Sequence, residues 1–381
     1  MSRNLIAIAV ILAIIGFYTG AFGLLFTLYL DYLRISLPTM GAMISVSGLI
    51  GFLVTVFIGV HADVWRRKTL CSVAMLLNSI SSFLIYFLRG VWELTAVKIV
   101  DDIGLRLRAT VQNALIFEHF RSSYAKIFAR IQGIELILSG LGFFATSPLI
   151  LILGFQGSFI FISLLLFCAF LIFQLLVDEP ARPMVSRRSV LETYRFDISR
   201  ELKILCAFSL LFNLGFAICH SVFIFTLFFL KKFAIDSSAL SIILGIHHFT
   251  FGLPMLLVSK LYARKNVNYK MMFMIGNTFI GLPHVLAAFA PNLITAAAVW
   301  FLHDIIGASI STPAQQTLMQ IYARDDQRAK DINMVSLFGT IGVIVGPAIG
   351  GFLAGININL PFIIGGTIIT AATITLAPLK Y

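Results

Sequence analysis

The sequence predicts an all-α membrane protein with twelve transmembrane helices set in two pseudo-symmetric six-helix lobes. Three observations carry this. The 381 residues are 59% hydrophobic and only 12% charged, with a mean hydropathy of +0.97. A soluble domain has roughly a quarter of its residues charged, so lipid must cover much of this surface. The apolar residues fall in twelve runs close to the ~20 residues that a helix needs to cross the hydrocarbon. The longest polar stretch, DEPARPMVSRRSVLETYRFDISREL at 178–202, follows the sixth run and precedes the seventh.

The expected spans are 5–30, 39–60, 70–88, 92–117, 124–153, 158–177, 203–230, 237–258, 271–290, 293–321, 332–355 and 360–378. Only helices or closed barrels satisfy their backbone in lipid, and these runs are too long and too continuously apolar for barrel strands. Leu5 to Leu30 is longer than a signal-peptide core, and no small-residue cleavage site follows, so it reads as the first span. With the N-terminus inside, 20 of the 28 Lys and Arg fall on inner segments and four (Arg34, Arg89, Lys231, Lys232) on outer loops. The other four, Lys98, Arg106, Arg108 and Arg130, lie within spans. The excess of inner positive charge places both termini in the cytoplasm of a cell-membrane protein. It also explains the net charge of +11 without nucleic acid as a partner. Cys71, Cys168, Cys206 and Cys219 lie in apolar runs and are expected as small buried hydrophobes, with no disulfide frame. The 36 phenylalanines suit a lipid-facing exterior.

The lobes are expected at 1–177 and 203–381, with 178–202 as a cytoplasmic linker. A shift of 202 residues sets Asp102-Ile103 on Asp304-Ile305 and Thr110 on Thr312, while Pro148 and Pro347 are 199 apart. The two halves therefore read as a faint internal repeat.

Span four is the most informative segment, with Lys98, Asp101, Asp102, Arg106 and Arg108 inside eleven residues. A charge at a helix centre costs ~2.5–3.5 kcal/mol on insertion scales, so this row cannot face lipid. At about 100° per residue, Lys98, Asp101, Asp102, Leu105, Ala109, Gln112 and Asn113 share one face. Arg106 and Arg108 flank it, and Ile99, Val100, Ile103, Leu107, Val111 and Ala114 form the opposite face. Lys98 can pair with Asp101 or Asp102, and Asp102 with Arg106; span five adds Arg130 and Glu135. Such a network either locks helices together or walls a polar cavity. Buried pairs alone seldom repay their desolvation, which favours the cavity for the row as a whole.

The second half places His220, His247, His248, His284 and His303 within spans, with His303 beside Asp304. Histidine titrates near neutral pH and binds metals. Adjacent residues such as His247 and His248 point about 100° apart and rarely serve one site. Each histidine by itself reads as hydrogen-bonded to a neighbouring helix. A transition-metal route would need three or four to converge, and the set would be His220, His247, His303 and Asp304. No metal site and no cofactor is assigned. Tyr18, Thr19, Asn213 and His220 are the polar contributions of spans one and seven, and Gly16 and Gly20 form a small-residue contact face. Tyr29, Asp31 and Arg34 stand at the outer end of span one, where a gate could form.

The loop between spans two and three reads Gly59-Val-His-Ala-Asp63-Val-Trp-Arg66-Arg67-Lys68. It resembles the loop signature of the major facilitator superfamily: Gly, three residues, Asp, a basic residue, any residue, Gly, then two basic residues. Gly59, Asp63, Arg67 and Lys68 match; Val64 and Arg66 depart. Asp63 suits a helix N-terminus, and the basic cluster suits salt bridges that break as lobes move, or simply a positive-inside anchor. Span eleven carries Gly342, Gly346, Pro347, Gly350 and Gly351, spacing that permits close helix approach and a bend. In the superfamily a pattern of this shape in span five accompanies antiport; here it stands in the other lobe and says little about antiport. The second-lobe copy of the loop, from Val258, has Tyr262 in place of the Asp.

The resemblance implies an MFS-type secondary active transporter that moves a small organic solute by alternating access, with a cavity lined by spans one, four, seven and ten. The cavity residues would be Lys98, Asp101, Asp102, Arg106, Arg108, Gln112, Asn113, Tyr18, Asn213, His220, His303 and Asp304. Coupling to protons requires a buried carboxylate that can hold a proton; Asp101, Asp102, Glu135 and Asp304 are the candidates. The expected partners are a small solute, protons and membrane lipid, with the protein monomeric. A transition-metal transporter, a membrane-embedded enzyme and a sensor are the other readings. The sequence has no His-Glu-x-x-His motif and no phosphate-binding glycine loop, so no enzyme is expected.

Overall fold

A computed structural model describes residues 3–61, 67–119, 124–177, 198–262, 267–324 and 328–379. All regular structure among them is helical. The helices are α1 (Arg3–Tyr32), α2 (Leu37–His61), α3 (Arg67–Ile85), α4 (Val91–His119), α5 (Tyr124–Leu176), α6 (Arg200–His220) and α7 (Val222–Lys232). They continue with α8 (Ser237–Tyr262), α9 (Tyr269–Ala288), α10 (Leu293–Leu302), a π-helical turn (His303–Ala308) and α11 (Ser309–Tyr322). The chain ends with α12 (Arg328–Ile356), α13 (Leu360–Ala372) and a 3₁₀ turn (Thr373–Leu376). Eight stretches of the described residues are long and apolar enough to cross a membrane. The charged α4 is not among them.

Four expected spans differ in local form. Spans five and six run together as α5, bent where Gly154 takes φ 68°, so the expected connection at 154–157 reduces to one glycine. Its left-handed backbone is what only glycine adopts without strain. Span seven is two helices, α6 and α7, broken at Ser221 (φ −62°, ψ 140°). Span ten contains the π turn between α10 and α11.

The chain divides into two compact units, Met1–Ile35 with Val46–Glu192, and Ser36–Ser45 with Thr193–Tyr381. In the first unit α1 lies along α5: Gly16 and Gly20 meet the backbone of Glu135 and Ser139, and Gly142 meets that of Phe17 and Ala21. In the second unit α6 lies along α12: Gly342, Gly346 and Gly350 meet Leu214, Ala217 and Ile218. Lipid supplies little hydrophobic drive between helices, so close backbone approach supplies dispersion contact instead. The halves also share a turn. Arg34 (φ 59°) and Ala234 (φ 49°), 200 residues apart, are the non-glycine residues with positive φ among those described.

Two expectations about side chains are corrected. Cys168 is exposed, whereas Cys71, Cys206 and Cys219 are buried; an apolar span has a lipid face as well as an inner one, and a thiol tolerates either. Among the described residues, many phenylalanines are interior. Phe208, Phe223, Phe228, Phe229, Phe273 and Phe362 are fully buried in the second unit, where Phe228 stacks on Phe362 with centroids 3.8 Å apart.

Candidate functional site

Two polar clusters lie within the apolar helices, one in each unit. The first is built on α4. The 3.6-residue period puts Lys98, Asp101 and Asp102 on neighbouring turns, and the Lys98 ammonium bridges both carboxylates, 3.3 Å from Asp101 Oδ2 and in contact with Asp102 Oδ1. The Ser47 hydroxyl of α2 donates to Asp102 Oδ2. Asp101 is fully buried. It accepts from the Tyr18 hydroxyl of α1 at 2.5 Å and from Asn78 Nδ2 of α3 at 2.7 Å. Ser82 donates in turn to the Tyr18 oxygen at 3.2 Å. The ammonium also lies 5.8 Å from the Phe22 ring centroid. A buried carboxylate is tolerated when hydrogen bonds and a counter-charge replace water, and Asp101 has both.

The remaining span-four charges separate from this centre. Arg108 Nη1 reaches Glu135 Oε1 of α5 at 3.1 Å, so Glu135 is an ion-pair partner across two helices. Arg106 lies against Gly51 of α2 near Asp102. Tyr18 and Asp101, two of the expected cavity residues, are buried in the packing among α1, α3 and α4, where each satisfies the other. Asp102 keeps partial access. The side chains of Gln112 and Asn113 lie outside the described residues, as do Asp63 and Arg66 and the side chain of Arg67. Gly59 lies within α2. Lys68 Nζ donates to Gln174 O at 2.8 Å, at the C-terminal end of α5, where the helix dipole favours a cation.

The second cluster gathers four histidines from four spans: His220 at the end of α6, His247 on α8, His284 on α9 and His303 at the start of the π turn. His247 Nε2 and His303 Nε2 are 3.3 Å apart. The Asp304 carboxylate closes on both, 2.8 Å from His247 Nε2 and 3.3 Å from His303 Nε2. Ligand atoms of His220, His247 and His303 all lie within 4.8 Å of one another. His220 Nδ1 is 3.2 Å from His284 Nε2, which also accepts from Trp300 Nε1 at 3.2 Å. The Trp300 ring stacks on His247, with centroids 4.3 Å apart. His248, with its ring centroid 5.1 Å from that of His247, bonds back to Leu244 O at 3.1 Å.

Beside α6, α11 and α12 the second unit holds a cavity of about 270 Å³, whose polar lining is Ser209, Asn213, Gln315, Gln316, Ser336 and Thr340. Reasoning from sequence found Asn213 and missed Ser47, Asn78 and Trp300, whose neutral side chains give no signal until a partner is known. It also missed Asp331, fully buried at the start of α12. Asp331 takes a two-pronged ion pair from Arg324 at 2.7 and 3.0 Å and a hydrogen bond from the Arg324 backbone N–H at 3.0 Å.

The sequence matches the family described as Major Facilitator Superfamily over residues 6–268 and 204–381. No curated protein matches by sequence. Among solved structures, the chain is similar to the nucleoside transporter NupG, with TM-score 0.78, 15% identity and 100% of both chains covered. It is also similar to a POT family transporter in complex with 5-aminolevulinic acid, with TM-score 0.78, 13% identity and coverage of 98% and 95%. A bacterial homologue of the human lysosomal transporter Spinster gives TM-score 0.73, 15% identity and coverage of 99% and 95%. At such identities the likeness speaks for the fold alone. The match to the family spans the whole helical region, so the chain belongs to the Major Facilitator Superfamily and is a multi-pass membrane transporter, not an enzyme.

Proposed function

We propose that the protein is a proton-coupled carrier of a small, polar organic solute, working by alternating access between an N-terminal lobe (1–177) and a C-terminal lobe (203–381). The linker 178–202 and both termini are then on the cytoplasmic face of the cell membrane. The observation that carries the coupling is the pair of carboxylates sharing one ammonium: Asp101 and Asp102 around Lys98. Together the three groups hold one excess negative charge when fully ionised. A proton on Asp102 leaves the Lys98–Asp101 pair neutral, which suits a lobe whose polar interior is alternately opened and closed. Asp101, held by Tyr18 and Asn78, anchors the ammonium, and the partly accessible Asp102 takes and releases the proton.

The cavity of the second unit supports the choice of solute. Its polar lining consists of hydroxyls and amides without a formal charge, and its volume is just below the ~300–1,000 Å³ usual for ligand sites, which suits a small solute. Amide and hydroxyl groups both donate and accept, so they recognise a solute with several hydrogen-bonding groups better than a simple ion.

The test begins with a screen of solutes that raise the thermal midpoint of the purified protein. A stabilising solute is then offered to proteoliposomes with and without an imposed pH gradient. Accumulation driven by the gradient is expected in the native protein. In Asp102→Asn, solute exchange between equal pH values persists while the gradient no longer drives accumulation. Equal gradient-driven accumulation in Asp102→Asn would remove Asp102 from the proton route. Stabilisation without movement of any solute would remove the carrier reading itself.

A further inference from the structure

The geometry points to a transition-metal site in the second unit, in which ring nitrogens of His220, His247 and His303 and the carboxylate of Asp304 hold one divalent cation of the zinc type. This goes beyond the carrier reading and does not rest on it. The proton route proposed above uses the first unit alone.

The spacing fits. Bonds of ~2.0–2.1 Å in a tetrahedron place neighbouring ligand atoms about 3.3–3.4 Å apart. His247 Nε2 and His303 Nε2 are 3.3 Å apart, and His303 Nε2 and Asp304 Oδ1 are also 3.3 Å apart. Asp304 Oδ2 lies 2.8 Å from His247 Nε2. His220, whose ligand atom lies within 4.8 Å of those of His247 and His303, supplies the fourth ligand. It stands immediately before the break at Ser221, where a small rotation closes the gap without disturbing a continuous helix.

The outer hydrogen bonds aim the ligands. A metal-bound histidine usually gives its other ring N–H to a carbonyl or similar acceptor, which sets the tautomer. His303 Nδ1 lies against the Trp300 carbonyl, which can only accept, so the proton is on Nδ1 and Nε2 is bare. His284 Nδ1 likewise bonds to Ile280 O at 2.8 Å, leaving its Nε2 as an acceptor. His220 Nδ1 then donates to that Nε2, and His220 Nε2 is bare. Two bare nitrogens thus belong to the cluster before His247 is considered. His247 has no arrangement that satisfies all of its neighbours. A proton on its Nε2 can serve His303 Nε2 at 3.3 Å or Asp304 Oδ2 at 2.8 Å but not both, and its buried Nδ1 has no partner among the described residues. A cation held by these bare nitrogens, by His247 Nε2 and by the carboxylate satisfies Asp304, and His247 then carries its proton on Nδ1. Imidazole with one carboxylate suits zinc, nickel, cobalt and iron rather than calcium or magnesium.

The backbone around the cluster is shaped for it. In an α-helix His303 and Asp304 would point about 100° apart; in the π turn both meet His247. Single π turns inside α-helices often mark functional sites. Irregular backbone at membrane depth persists only where protein or a polar cavity covers it. Here the π turn of span ten and the break of span seven both fall at this cluster.

Co²⁺ serves as the probe, because tetrahedral coordination gives it intense visible bands that octahedral Co²⁺ lacks. The purified full-length protein is stripped with chelator, then titrated with Co²⁺ and with Zn²⁺ in competition. The native protein is expected to develop a tetrahedral Co²⁺ spectrum saturating at one ion per chain and displaced by Zn²⁺. His303→Gln and Asp304→Asn are expected to weaken binding by more than the ~10–100-fold that losing an outer hydrogen-bonding partner costs. His248→Gln, which alters a neighbouring imidazole outside the set, leaves it unchanged. A folded native protein that gives no tetrahedral spectrum overturns the proposal, whatever the variants do. So does a spectrum that survives unaltered in folded His303→Gln.

Discussion

Replacing Lys98 with methionine tests whether the charges of span four are held in a dry interior. Methionine keeps most of the aliphatic stem and removes only the ammonium that touches Asp101 and Asp102. Asp101 keeps two donors, Tyr18 at 2.5 Å and Asn78 at 2.7 Å; Asp102 keeps the Ser47 hydroxyl. Two neighbouring carboxylates then face each other without a counter-ion. Removing one partner of a buried pair costs ~3–5 kcal/mol. At ~2–4 °C per kcal/mol for a unit of this size, Lys98→Met is expected to lower the thermal midpoint by about 6–20 °C. Cys71, Cys206 and Cys219 are buried and Cys168 is exposed, so a thiol-reactive dye in detergent reads unfolding as new labelling over a constant background. Adding Asp102→Asn to Lys98→Met removes the second uncompensated charge and is expected to recover at least half of the lost stability. That recovery is a coupling that two independent sites would not show. A midpoint for Lys98→Met within about 1 °C of the native protein, corresponding to under about 0.5 kcal/mol, would mean that the three groups are solvated and that the proposed centre does not exist.

Other substitutions probe the remaining contacts. Tyr18→Phe removes a donor to a fully buried carboxylate and is expected to cost ~1–3 kcal/mol, read in the same assay. Gly142→Leu drives a side chain into the backbone of Phe17 and Ala21; it is expected to destabilise by at least ~1–3 kcal/mol through overpacking. Gly252→Ala, in α8 with open space around the added methyl, is expected instead to stabilise by ~0.5–1 kcal/mol. Asp331→Ala strands Arg324 and is expected to lower the thermal midpoint, whereas Ser336→Ala, at the partly exposed wall of the cavity, is expected to weaken solute-induced stabilisation and leave the midpoint of the free protein unchanged.

What the sequence alone determined is the membrane character and the all-helical form, because the bilayer leaves few choices. A run of about 20 apolar residues must be a helix. The pairing of Lys98 with Asp101 and Asp102 was also legible, since residues three and four apart on one helix are neighbours whatever surrounds them. Tertiary structure alone decided which side chains from different helices meet. Asp101 was readable as charged and interior, but only the placement of α1 and α3 brings Tyr18 and Asn78 to it. His220, His247, His284 and His303 are up to 83 residues apart in the chain; their convergence depends on the packing of four spans, which no local period encodes. The π turn at His303 and the break at Ser221 were hidden for the same reason. Both depart from the regular helix that a hydropathy pattern assumes, and local side-chain hydroxyls serve the backbone there: Ser221 Oγ donates to Ala217 O and Ser309 Oγ to Ile305 O.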